Sequence, residues 1–252
     1  DGEGLCVPVH ASVSGTVVAI DPRPHVSGRE ILSVVIDNDL QDDVFPSAVN
    51  DKPLAELDND EILHTIREAG IVGMGGAAFP GNVKAISAMG KVDTLIANAC
   101  ECEPYITADD SLLRSKPEQV LEGMMILRHV LKPDRVVLAV EDNKAEAIKI
   151  LHGLHDRYPD IEIAVLPTRY PQGAEKQLIQ SLTKREIAPG QLPVSVGCAV
   201  FNVSTYAAIY RAVRLGMPLT ERIVTISGEA IAEPQNFIVR IGTSFHDLIE
   251  VA

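Results

Sequence analysis

The sequence predicts an α/β protein built on a mainly parallel three-layer sheet, with a small β piece before it and another after it. Three observations carry that expectation. Residues 93–215 alternate short apolar strands with helical stretches, the pattern of a parallel sheet whose crossovers are helices. The first fifty residues instead hold short β-branched runs separated by Gly, Pro and Asp turns, as in a small barrel or sandwich. After Gly216-Met-Pro218 the texture changes again, to two strand-like runs and one short helix-like run.

Taken in order, Val7-Pro-Val-His10, Gly15–Ile20 and Ile31–Ile36 read as the strands of the N-terminal piece. The stretch Pro8–Val18 is similar to the turn region of lipoyl- and biotinyl-type modules. Those modules need a modifiable lysine and none occurs before Lys52, so a carrier role is rejected and the fold alone is kept. From Asp37 to Glu61 the chain is acidic and contains prolines, with Asp42, Asp43, Asp51, Glu56, Asp58 and Asp60, which suits an exposed connection. Glu61–Ala69 is amphipathic and Gly70 supplies a helix stop.

The α/β region then offers strands at Asp93–Asn98, Arg135–Val140, Ile161–Leu166 and Val194–Val200, with helices from Pro117, Asn143, Ala174 and Val203. Pro117 suits a first helical turn, Asn143 a cap, and Ile148, Leu151 and Leu154 recur at helical spacing and read as core. Right-handed crossovers gather the loops after the strand carboxyl ends along one edge, where ligands bind in such sheets. Arg222–Ala230, Asn236–Gly242 and Ser244–Glu250 suggest a small β-grasp-like module. The expected units are residues 1–50, 51–217 and 218–252.

Composition narrows the function. A net charge of −13 from 35 acidic and 22 basic residues opposes nucleic-acid binding, which needs a Lys/Arg-rich face. The hydrophobic fraction of 46% and the mean hydropathy of +0.12 describe a globular chain. No apolar run approaches the ~20 residues of a membrane-spanning helix, so membrane association is expected only through partners. The chain opens on Asp1, without a signal segment, and reads as a piece of a longer protein. Cys6, Cys100, Cys102 and Cys198 do not make a disulfide framework and fit a reducing compartment. Cys100-Glu-Cys102 has no second pair at ligand spacing, so small buried or loop-lining thiols are preferred to a metal site.

The chemistry concentrates in two stretches. Gly73-Met-Gly-Gly-Ala-Ala-Phe-Pro-Gly-Asn82 sets four glycines around one aromatic, so that backbone N–H groups can approach a phosphate. Downstream, Thr94-Leu-Ile-Ala-Asn-Ala-Cys-Glu-Cys-Glu-Pro-Tyr-Ile-Thr-Ala-Asp-Asp110 runs from an apolar strand into a loop bearing Asn98, Glu101 and Glu103. Together they resemble the family of the C subunit of the Rnf ion-translocating electron-transport complex, related to the flavin- and NADH-binding 51 kDa subunit of respiratory complex I. The resemblance extends from about His10 to the last residue.

The resemblance implies FMN as cofactor and NADH as substrate. Gly73, Gly75, Gly76 and Ala77 would cradle the phosphate. Lys84 would add a cation near the phosphate or ribityl chain, its ordinary reading being a surface lysine. Phe79 matches the aromatic that stacks on the NADH adenine, its ordinary reading being a core Phe. Asn98, Glu101 and Glu103 match amide and carboxylate positions that bind flavin and nucleotide hydroxyls, with Cys100 and Cys102 replacing the family's Asp and Gly. Tyr170, Gly173 and Glu175 carry over from a second cluster in which Ala174 replaces an expected Glu. Asn202 and Thr205 carry over from a third. Gly173-Ala174-Glu175 also reads as a plain helix start, and Asn202 as a plain N-cap. The sequence departs from the complex I pattern at Met74, where that family has Arg, at Ala78, where it has Gly, and at Ser87, where it has a second stacking Phe.

The expected function is therefore an NADH:acceptor oxidoreductase subunit. It would take hydride from NADH on FMN and pass electrons to [4Fe–4S] clusters outside this fragment, coupled to ion transport in the whole complex. The cluster-ligating Cys-x₂-Cys-x₂-Cys-x₃-Cys-Pro runs of the family are absent from this sequence, so the clusters belong to a missing C-terminal part. Expected partners are the other subunits of a membrane electron-transport complex, NADH and a ferredoxin-type redox partner, with the protein peripheral on the cytoplasmic side of the cell membrane. Two alternatives stay open: a non-catalytic docking or scaffold module, and the flavin subunit of a corrinoid reductase. His152 and His155 read as a solvated helix face, and Glu141-Asp142 and Asp109-Asp110 as turn and cap residues. Hydrolase chemistry has no support, because no Ser or Cys is accompanied by a His and acid constellation.

Overall fold

The computed structural model describes residues 5–25, 27–45 and 47–252. Its centre is a four-stranded sheet of β3 (Thr94–Ala99), β4 (Arg135–Glu141), β5 (Ile161–Leu166) and β6 (Cys198–Asn202), all parallel in the order β5-β4-β3-β6. Side chains alternate across it as a period of two requires. Leu95, Ala97 and Ala99 of β3 enter one apolar cluster, while Ile96 enters a second with Ala139 and Val200.

The first face is covered by α1 (Asn59–Glu68), α2 (Gly81–Ala88), α3 (Ala108–Ser115), α4 (Pro117–Leu131), α5 (Ala145–Gly153) and α7 (Val203–Leu215), each adding residues to the larger cluster. The second face is covered by α6 (Glu175–Thr183) through Leu178 and Ile179. Helices on both faces of a parallel sheet make the expected three layers. Local signals agree: Asp58 caps α1 by accepting from the amides of Asp60 and Glu61, an arrangement worth about 1 kcal/mol.

Two antiparallel strand pairs flank this unit. β1 (Gly15–Pro24) pairs with β2 (Glu30–Asn38), with a register shift between Val17 and Ala19. β7 (Glu221–Ile226) pairs with β8 (Gln235–Arg240), followed by α8 (Phe245–Val251). The N-terminal stretch docks where His10 Nε2 donates to the Glu68 carbonyl at 2.7 Å. The C-terminal pair docks where Leu219 N donates to Ala69 O at 2.9 Å and Thr107 N to Thr225 Oγ1 at 3.2 Å.

Several elements differ from expectation. Val7–His10 forms no strand, and the N-terminal piece is a two-stranded hairpin among the described residues. Asp1 lies outside the described residues. The last parallel strand begins at Cys198, because Pro193–Val196 forms a 3-10 turn closed by Gly197 at φ 72°. Helices α2 and α3 were not anticipated. Gly81-Asn82, the end of the glycine-rich stretch, starts α2, and Asp109-Asp110, expected as turn and cap residues, lie in the first turn of α3, where acids face the positive end of the helix dipole.

Candidate functional site

Parallel register creates the site. Asn98, near the end of β3, lies opposite Asn202, the last residue of β6, so the loops that follow the two strands open side by side. With the loop after β5 and the glycine stretch before α2, they enclose an open cleft of about 960 Å³. Every residue expected at the site lines it: Gly73, Gly75, Gly76, Ala77, Phe79 and Lys84 from one rim, Asn98, Glu101 and Glu103 from the β3 loop, Tyr170, Gly173 and Glu175 from the β5 loop, and Asn202 and Thr205 from the start of α7.

The glycine stretch is pinned at both ends. Gly73 N donates to Phe79 O at 2.8 Å, and Met74 N donates to Thr205 Oγ1 at 3.0 Å. Among the described residues, the amides of Gly75, Gly76 and Ala77 donate to no protein group. Ala78 adopts φ 49°, the left-handed region that glycine tolerates and alanine does so only at a cost. Phe79 is 40% exposed and Tyr170 80% exposed, so both aromatic faces are available for stacking.

Across the cleft, Asn98 joins two loops: its Nδ2 donates to Gly173 O at 2.9 Å and its Oδ1 accepts from Cys100 N at 3.0 Å. The loops meet backbone to backbone, since a Cβ on Gly173 would stand 1.9 Å from Cys100 O. Glu101 is committed to structure. Its side chain is 4% exposed, it accepts from Asp109 N at 3.0 Å and Asp110 N at 3.4 Å, and Lys144 Nζ lies 3.6 Å away. It therefore caps α3 from the cleft edge. Glu103, by contrast, is exposed. Lys84 Nζ donates to Glu175 Oε1 at 3.0 Å and lies 5.2 Å from the centre of the Phe201 ring, so its charge is already engaged.

At α7, Asn202 Oδ1 accepts from Ser204 N at 2.8 Å, and its Nδ2 donates to Asp109 Oδ2 at 2.6 Å. Ser204 Oγ donates to Asp109 Oδ1 at 3.0 Å. Burial, then the neighbouring Glu101 charge, push the Asp109 carboxyl up to about 7 against those hydrogen bonds. Burial, then Glu141, push the Cys100 thiol up to about 12, so it stays protonated and unreactive at neutral pH.

Asp109, Ser204 and Arg222 also line the cleft, beyond the residues expected from the motifs. Asp109 reads from the sequence as a turn or cap residue, and its place on the cleft wall follows from the folding of α3. Arg222 stands in the run Arg222-Ile-Val-Thr-Ile226, and nothing in the sequence brings that strand to the cleft. At the departures from the complex I pattern, Met74 packs against the main apolar cluster and Ser87 Oγ donates to the Lys84 carbonyl at 2.8 Å.

Residues 66–211 match the model of the Nuo51 FMN-binding domain, and residues 1–41 match that of the RnfC barrel sandwich hybrid domain. The chain belongs to the Nuo51 FMN-binding family, as a member of RnfC type. The C subunit of the Na⁺-translocating ferredoxin:NAD⁺ oxidoreductase complex of Acetobacterium woodii is 44% identical over 247 residues, which is 98% of this chain and 56% of that protein. The RnfC-type chain thus spans about half the length of this curated relative. Among solved structures, the NAD⁺-reducing [NiFe]-hydrogenase in its air-oxidized state aligns with TM-score 0.68 and 27% identity, over 77% of this chain and 39% of that one. The H₂-reduced state gives 0.68 and 26%, over 76% and 38%.

The residues of this RnfC-type cleft fit FMN, the cofactor of the matched domain. Free amides at Gly75, Gly76 and Ala77 suit a phosphate, exposed aromatic faces suit a flat ring, and carboxylates suit hydroxyl groups. No helix among the described residues is long and apolar enough to cross a membrane.

Proposed function

We propose that this chain is the flavin-bearing part of an electron-transport complex, accepting hydride from NADH and delivering electrons to [4Fe–4S] clusters outside the sequence. The observation that supports this most is the convergence of all the motif clusters on one cleft at the carboxyl ends of the parallel strands. When bound, FMN supplies hydride acceptance and one-electron release, chemistry that belongs to the cofactor.

The protein's part is binding and orientation. The amides of Gly75, Gly76 and Ala77 would hold the phosphate, and Lys84, paired with Glu175, would add positive charge beside it. Asn98, through its bond to Gly173 O, fixes one wall of the cleft, Thr205 holds the glycine stretch through Met74 N, and Phe79 and Glu103 would receive the nucleotide. The same reading places the protein peripherally at the cytoplasmic membrane face, with other subunits and a ferredoxin-type redox partner, in a complex that transports ions. It keeps the division into residues 1–50, 51–217 and 218–252. Calorimetric titration of the full-length protein with FMN tests the core of it: one FMN per chain is expected, and no binding contradicts it.

A further inference from the structure

Arg222 stands out once the charges of the cleft are paired off. Lys84 and Arg222 are the cations on its wall. Lys84 is held by Glu175 at 3.0 Å and by the Phe201 ring. Among the described residues, no hydrogen bond or ion pair uses the Arg222 guanidinium, and its Nη1 is enclosed without a partner. Enclosing a cationic donor without a partner costs several kcal/mol. The position of Arg222 is also specific. With Met74 of the glycine stretch and Ser204 of α7, it lines both the cleft and a cavity of about 60 Å³ beside it. It therefore lines the same cleft as the unpaired amides of the glycine stretch.

The acids of the cleft do not compensate it. Glu101 is taken up by the α3 amides and Lys144, and Asp109 by Asn202 and Ser204. Asp109 acts on Arg222 only through its field, which opposes the desolvation that lowers the guanidinium's hold on its proton. We propose that Arg222 binds a phosphate group of the cleft's ligand, contributed by the C-terminal strand pair and not by the α/β unit. A guanidinium matches phosphate oxygens as a planar fork of donors, and Arg222 already lines the cleft. The strand pair is held for this by Thr107 N donating to Thr225 Oγ1 and Asn236 Nδ2 donating to Thr107 Oγ1 at 2.9 Å. Ligand binding thereby ties the C-terminal pair to the sheet.

The inference rests on the proposed flavin and nucleotide binding, and two phosphate sources are compatible with it: the FMN monoester and the NADH diphosphate. The experiment measures affinities of the full-length protein for FMN, riboflavin and ADP-ribose, before and after Arg222→Gln. A loss of about tenfold or more for FMN with riboflavin unchanged assigns Arg222 to the flavin phosphate. The same loss for ADP-ribose alone assigns it to the diphosphate, and both results uphold the inference. Equal losses for FMN and riboflavin with ADP-ribose unchanged, or no change at all, overturn it. Should Arg222→Gln fail to fold, Arg222→Lys carries the same comparison, because lysine keeps the charge and loses the fork; a several-fold selective loss is then expected. An unaltered protein that binds no flavin contradicts the functional reading itself, whereas flavin binding indifferent to Arg222 contradicts this assignment alone.

Discussion

Asn98 and Asn202 are register partners in adjacent parallel strands, and each turns its amide to a different segment: Asn98 donates to Gly173 O in the loop after β5 at 2.9 Å, Asn202 to Asp109 Oδ2 in the first turn of α3 at 2.6 Å. The strand pairing thus spaces the two walls of the cleft. Asn202→Ala removes both an N-cap and a bond to an acid, and is expected to cost about 2–3 kcal/mol of stability. FMN affinity should fall with it. Chemical denaturation gives the first number, and a loss below about 0.5 kcal/mol contradicts the role assigned to Asn202.

Asp109 gives a pH signature. Its carboxyl holds a proton up to about pH 7 in the folded chain but ionises near about 3.9 when unfolded. Between those values the native state binds more protons than the unfolded state, so this group makes stability fall as pH rises from ~4 to ~7. The difference between the two values corresponds to a loss of about 4 kcal/mol, complete above the folded value. Asp109→Asn should remove most of that loss, leaving the variant about 1–3 kcal/mol more stable than the parent at pH 8 and no more stable at pH 4. Urea unfolding at the two pH values checks this, and parallel pH profiles for both proteins contradict it.

Thr205 is fully buried, and its hydroxyl accepts from Met74 N at 3.0 Å. Thr205→Val keeps the shape and leaves that amide unpaired, at about 1–3 kcal/mol. Thr205→Ser keeps the acceptor. Valine is therefore expected to weaken FMN binding more than serine does. The opposite order, measured by flavin fluorescence quenching, contradicts the idea that Thr205 holds the glycine stretch.

Ala78 at φ 49° pays for a conformation that glycine adopts freely. Ala78→Gly is expected to raise stability by about 0.5 kcal/mol after the extra chain entropy of glycine is subtracted, a Tm gain of ~1–2 °C. Calorimetry checks it, and a fall of several degrees contradicts the strain.

The central sheet was legible because apolar strands such as Val136–Val140, buried on both faces, and amphipathic helices carry strong periodic signals. The candidate cleft was legible through its motifs, since Gly73–Phe79 and Asn98–Glu103 place glycines, amides and acids at recognisable spacing and both stretches line it. Helices α2 and α3 were not legible, because Gly81-Asn82 and Asp109-Asp110 favour turns locally and tertiary packing of Ala85, Leu112 and Leu113 decides for helix. Glu101 as a cap for α3, and Arg222 as part of the cleft wall, depend on contacts between segments distant in sequence that no local pattern encodes.

The most direct test of the account is anaerobic. The full-length protein is mixed with FMN and desalted, its visible spectrum is recorded, and NADH is then added. Retained flavin absorbance that bleaches with NADH is the predicted result. A colourless protein after desalting contradicts the flavin site, and retained colour that NADH leaves unchanged contradicts hydride entry at this cleft.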